Sequence, residues 1–161
     1  VRYWDKAGTA GAGCFTVGVK MGIDRSDPAR YWVLDVIRGQ WEAAERERII
    51  KQTAGLDGRG VEIGIEQEPG SGGKESAIST IRRLSGYTVT ADRPAGDKEL
   101  RADPFAVQVN SGNVFLMRAE WNQAYLDELT DFPMGAFKDQ VDASSGAFSM
   151  LTNERVIGGA A

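Results

Sequence analysis

Three carboxylates stand where groups able to do chemistry are expected. Asp5 directly follows the first β-rich run, Glu66 follows the run Val61–Ile65, and Asp139 opens the last predicted helix. Strand ends and helix starts can meet at one edge of a sheet. Carboxylates gathered there repel one another and need either raised pKa values or bound cations. In two-metal phosphoryl chemistry one ion activates the attacking water and the other stabilises the leaving oxygen, with the ions roughly 3.5–4 Å apart. Such chemistry requires no histidine. Ordinary explanations compete, because the chain has 23 acidic residues and most carboxylates are solvated surface groups. Asp139 could serve as a helix N-cap. Glu66 is harder to dismiss, since it directly follows a β-run that should be buried. Glu68 would share a strand face with Glu66 if the strand continued, which makes it the rival for that position.

Composition narrows the chemistry. The chain contains no histidine and one cysteine, Cys14. His-assisted serine or cysteine nucleophiles, His-ligated or cysteine-based zinc, and an internal disulfide are all excluded. Oxygen ligands alone suit magnesium or manganese. A net charge of −4 and a pI near 5.0 argue against unaided tight binding to nucleic acid, which needs a basic surface. An acidic pocket neutralised by metal, or DNA held by other parts of a larger protein, would reconcile the two. No apolar run approaches the ~18–20 residues needed to span a bilayer. The start at Val1 suggests one domain, residues 1–161, cut from a longer chain.

The elements that must position the carboxylates follow from periodicity. Val1–Trp4, Gly13–Met21 and Tyr31–Ile37 read as a three-strand meander; in the second run Phe15, Val17, Val19 and Met21 alternate with Cys14, Thr16, Gly18 and Lys20. Asp24 to Pro28 reads as a turn. Trp41 to Ala54 predicts a helix, with Glu42/Arg46 and Glu47/Lys51 spaced as surface ion pairs. Val61, Ile63 and Ile65 predict a strand, Pro69 to Gly73 a glycine-rich loop, and Ala77, Ile78, Ile81 and Leu84 one face of a second helix. Tyr87–Val89 returns to the sheet. Lys98 to Val109 is ambiguous because Pro104 would break or kink a helix there. Val114–Met117 is a short strand, Trp121 to Leu129 a helix stopped by Phe132–Pro133, and Val141, Phe148 and Leu151 belong to the last helix. A meander followed by alternating strands and helices predicts an α/β fold with a mixed sheet.

Gly70-Ser71-Gly72-Gly73-Lys74 before a helix imitates a phosphate-binding loop. The pattern fails, because Glu68 stands where the first glycine belongs and Glu75 where Ser or Thr should follow the lysine. No bound nucleotide is expected, although the stretch with Lys74 could cradle a DNA phosphate. Arg82 and Arg83 read as solvated charges. Trp4, Trp32, Trp41 and Trp121 read as packing residues rather than platforms for bases.

Three stretches resemble the acidic motifs of the nuclease domain in large terminase subunits of tailed phages. They are Arg2-Tyr3-Trp4-Asp5, the segment from Ile65 through Glu66 to Lys74, and the segment from Asp131 through Phe137-Lys138-Asp139 to Ala143. Lys98-Glu99-Leu100-Arg101-Ala102, Ser111 to Val114 and the Trp121 helix extend the resemblance from Arg2 to about Leu151. It implies a ribonuclease H-like fold, with the three-strand antiparallel meander joined by parallel strands and flanked by helices. It also implies a magnesium- or manganese-dependent endodeoxyribonuclease with two metal ions. Asp5, Glu66 and Asp139 would match the three acidic ligands, with Asp5 bridging both ions, and Asp142 falls on a frequently acidic position three residues further along the helix. Many members carry His-Asp-Asp where this chain has Phe137-Lys138-Asp139, so Lys138 could touch phosphate or tune a carboxylate instead. Lys98 and Arg101 are the better candidates for contacts to DNA phosphates. The resemblance further implies an ATPase domain before Val1, portal and small-subunit partners, double-stranded DNA as substrate, and action in the cytoplasm of the bacterial host during genome packaging. Another ribonuclease H-like nuclease, such as a junction resolvase, and a non-catalytic docking domain remain as alternatives.

Overall fold

The computed structural model describes residues 1–8 and 13–157, with side chains through Asn153. The expected domain of 1–161 therefore includes residues 9–12 and 158–161, which lie outside the described residues. Strands β1 (Arg2–Asp5), β2 (Thr16–Asp24) and β3 (Arg30–Gly39) form the antiparallel meander. The chain continues through α1 (Ala43–Asp57), β4 (Ile63–Glu66), α2 (Ser71–Arg83), β5 (Val89–Asp92), α3 (Lys98–Asn110), β6 (Val114–Leu116), α4 (Asn122–Asp131) and α5 (Asp139–Ile157). The sheet order is β5-β4-β1-β2-β3-β6, with β4 parallel to β1, β5 parallel to β4, and β6 parallel to β3.

Helices cover both faces of this mixed sheet. On one face Tyr3, Val17, Val19, Met21, Tyr31, Val33 and Val36 pack with Phe105 of α3, Tyr125 of α4, and Ala143, Ala147 and Phe148 of α5. On the other, Trp4, Ile63 and Ile65 pack with Ile50 and Ala54 of α1, Ala77 of α2 and Leu84 at the C-terminal cap of α2. All four residues of β1 are buried, as expected for a central strand covered on both sides. Tyr31, Val33 and Val36 reach the same core because the register slips opposite Lys20/Met21. Leu34 is the extra residue, and such a bulge restores the facing of the side chains beyond it.

Several local expectations change. β2 begins at Thr16 rather than Gly13, and the return strand is Val89–Asp92 rather than Tyr87–Val89. Ser71, Gly72 and Gly73 form the first turn of α2 rather than a loop. The inner face of α2 uses Thr80 along with Ala77 and Leu84, while Ile78 is exposed. Pro104 sits inside a continuous α3. The carbonyl it leaves without a donor belongs to exposed Leu100, so water can satisfy it. Arg46 and Glu47 are not surface charges: both are buried, and Arg46 Nη1 donates to the Ala7 carbonyl.

A buried charge network fastens the start of the sheet to α1. Arg2, 2% exposed, donates to Asp57 at 2.7 and 3.0 Å, to Asp35 at 2.7 Å and to the Gly18 carbonyl at 3.0 Å. Lys20 adds a second cation 3.0 Å from Asp57.

Candidate active site

The parallel register of β1 and β4 pairs Trp4 with Ile65, which leaves Asp5 and Glu66 side by side at the strand ends. Glu66 is in turn paired with Asp92 at the end of β5. Side chains alternate along a strand, so Asp5 lies on the face of Tyr3, and Glu66 on the face of Gly64. That is the face covered by α5. Helix α5 approaches unusually closely: a Cβ on Gly146 would lie 2.3 Å from the Tyr3 ring, and one on Gly64 would lie 2.6 Å from the same ring. The two glycines let the Tyr3 ring fill the gap between sheet and helix. The first turn of α5, with Asp139 and Asp142, is thereby brought up to the strand ends.

Asp142 is 3% exposed and Asp5 9%. Burial pushes the Asp5 carboxyl well above its ordinary pKa; the charge of Glu66 adds to this, Lys98 counteracts it, and Asp142 and Asp139 push it further up. Glu66 is also raised, first by burial, with Arg101 and Lys98 opposing and Asp142 and Asp92 contributing. The four acidic residues expected from sequence thus share one electrostatic environment. Glu66 Oε2 is buried without a hydrogen-bond partner among the described residues. Lys98 Nζ bonds Asp142 Oδ2, and Arg101 Nη2 lies 4.0 Å from Asp142 Oδ1.

Asp139 does not cap its own helix as the N-cap alternative would have it. Its Oδ2 accepts from the Phe15 backbone N–H at 3.0 Å. The first turn is held instead by buried Glu128 of α4, which accepts from the Gln140 backbone N–H at 2.6 Å and from Gln140 Nε2 at 2.7 Å.

The family model of the terminase RNaseH-like domain matches residues 2–151. The chain belongs to that family. A solved structure with the same fold is the large terminase nuclease from the thermophilic phage G20c. It matches with a TM-score of 0.54 over 92% of this chain and 78% of that one, at 13% identity. No curated protein matches the chain. The α/β, ribonuclease H-like architecture expected from sequence is therefore the architecture of this terminase domain.

Among the described residues of the terminase domain, no three carboxylates or thiolates close into a ready-made metal cage. The donor set nevertheless suits a hard divalent cation: it is all oxygen, it is anionic, and one buried carboxylate oxygen lacks a partner. Asp5, Glu66 and Asp139, with Asp142, are the groups that could hold such ions. Glu68 is exposed, and because β4 ends at Glu66 it does not continue the strand. It lines a cleft of about 430 Å³ together with Glu66, Lys6, Arg46 and Ser76.

The cationic candidates separate. Lys98 and Arg101 reach the acidic groups, whereas Lys74 is exposed in the first turn of α2. Lys138 lies 3.8 Å from Glu99 and over the Phe132 ring. Sequence reasoning missed Asp92, which accepts from the Tyr3 hydroxyl at 2.8 Å. It also missed Lys6, whose ammonium donates to Ser76 Oγ and Thr80 Oγ1, each at 2.8 Å, and ties the chain after Asp5 to α2. Lys6 adjoins Asp5 in sequence, which was a usable signal. Asp92 carried none, because its neighbour is defined only by strand pairing.

Proposed function

We propose that this domain hydrolyses phosphodiester bonds of double-stranded DNA, as the endonuclease of a phage terminase large subunit. The observation that supports this most directly is the meeting of Asp5, Glu66, Asp139 and Asp142 at one sheet edge, with a Glu66 oxygen that has no partner among the described residues. Asp5, Glu66 and Asp139, with Asp142, would hold two divalent ions, magnesium or manganese. When bound, those ions supply an activated water and neutralise charge developing on the phosphate. Asp5, at the end of the central strand β1, would contribute to holding them. Lys98, Arg101, Lys74 and Lys138 are the proposed contacts to DNA phosphates, and they fix position rather than sequence. The acidic composition fits a parent protein whose other parts hold the DNA. In this reading residues 1–161 follow an ATPase domain in the full subunit. The subunit works with the portal and the small subunit in the host cytoplasm and cuts concatemeric genomes.

The test is cleavage of linear duplex DNA by the chain and by Asp5→Ala in Mg²⁺ or Mn²⁺. The expected result is cutting by the parent chain and a loss of at least two orders of magnitude in the variant. Activity unchanged by Asp5→Ala would overturn the assignment and favour a docking role. Preference for four-way over linear DNA would favour a junction resolvase.

A further inference from the structure

Lys98 is the first residue of α3, and Arg101 follows one turn later on the same side of the helix. Both point at Asp142, although the two ends of the contact differ in environment. The Lys98 side chain is 50% exposed, while that of Asp142 is 2% exposed. The lysine stem is therefore half in solvent while its ammonium reaches a buried carboxylate. Arg101 stands further off, at 4.0 Å, and its buried Nε has no hydrogen-bond partner among the described residues. An ammonium is a compact charge on a flexible stem with three donors and no acceptor, which suits a group that exchanges partners.

We infer that Lys98 is a built-in, displaceable counter-ion that occupies the cation position at Asp142 until a divalent metal takes it over. The inference rests on the nuclease reading above and concerns the order of events at the same carboxylates. An ammonium and a divalent ion held on the same Asp142 carboxylate repel each other, so metal binding weakens the Lys98–Asp142 contact. Metal entry therefore favours a Lys98 swung outward on its half-exposed stem. The released ammonium then stands at the mouth of the site, where a DNA phosphate would lie. One side chain thus couples metal loading to substrate contact. By linkage, whatever Lys98 costs the metal in affinity, the metal costs the Lys98–Asp142 contact.

The test compares Mn²⁺ binding, by calorimetry or by electron paramagnetic resonance of free Mn²⁺, for the whole chain, Lys98→Gln and Lys51→Gln. Lys51 is exposed on α1 and controls for net charge. The expected result is about tenfold tighter binding in Lys98→Gln, within the usual range of site-to-site coupling, and little change in Lys51→Gln. Equal or weaker binding in a folded Lys98→Gln would overturn the inference while leaving the metal site in place. No saturable binding by any of the three would overturn the metal reading and this inference with it. Amine acylation of the parent chain, read by peptide mass spectrometry, needs no variant. Lys98 should label several-fold faster with Mn²⁺ than with chelator, and an unchanged rate would refute its displacement.

Discussion

Replacing Asp5 with asparagine should make the metal-free protein more stable, although it removes the central carboxylate. Neighbouring strands lie about 4.8 Å apart, so the Asp5 and Glu66 carboxylates are separated by roughly 5 Å. Two unit charges at that distance repel by about 3 kcal/mol at an effective dielectric constant of 20. Lys98 and Arg101 offset part of this, leaving a net gain of about 1–2 kcal/mol for Asp5→Asn. For a domain of this size that corresponds to a rise of about 2–8 °C in Tm. The pH dependence has a defined sign. The Asp5 and Glu66 carboxyls are raised above 3.8 and 4.5, so the folded state holds their protons more tightly than the unfolded one. Their favourable contribution is complete below those values and is lost as pH rises through and beyond them. Metal reverses the comparison, since an ion that binds only the folded state adds about 2.7 kcal/mol at a hundred times its Kd. The assay is thermal unfolding by circular dichroism in chelator and in Mn²⁺, from pH 4 to 8. Asp5→Asn should melt above the parent in chelator and below it in saturating Mn²⁺. A variant that melts below the parent in chelator at neutral pH would refute the argument that these carboxylates repel.

Three other substitutions probe the supports of the site. Arg2→Ala should destabilise the fold by about 2–3 kcal/mol, less than for a fully stranded charge, because Lys20 still offsets the buried Asp57 carboxylate; urea unfolding measures this. Burial pushes the Asp57 pKa up, but hydrogen bonds from Arg2 and Lys20 outweigh that and bring it below 3.8. This contribution is therefore full above about pH 4 and fades below it, and the parent and Arg2→Ala stabilities should converge in acid. Gly146→Ala places a methyl group 2.3 Å from the Tyr3 ring. It should cost about 1–3 kcal/mol and reduce DNA cleavage more than stability alone explains, since it moves α5 away from β1. Glu128→Ala removes the acceptor at the start of α5 and should cost about 1–2 kcal/mol, with a measurable loss of Mn²⁺ affinity.

Local pattern carried much of the fold. The alternation at Val17, Val19 and Met21 marked a strand with a buried face, and all three are fully buried. Asp5 and Glu66 were legible as strand-end carboxylates because each closes a short apolar run. Arg46 and Glu47 were misread, because spacing along a helix says nothing about which face a neighbouring loop will cover. Pro104 was overweighted for a similar reason, since the lost hydrogen bond falls on a solvent-facing turn.

What the sequence by itself determined is which groups are available for chemistry and the elements that carry them. Without histidine and with a single cysteine, carboxylates are the groups left that could hold a metal, and periodicity places them at element ends. Tertiary structure decided which carboxylates face one another and which cation sits among them. The pairing of β4 with both β1 and β5 puts Asp92 beside Glu66. Phe15 engages Asp139 and Glu128 caps α5, while Asp142 turns inward to meet Lys98 from another helix. Each of these contacts joins residues distant in the chain. Its partner is chosen by packing and hydrogen-bond satisfaction across elements, which no local spacing encodes.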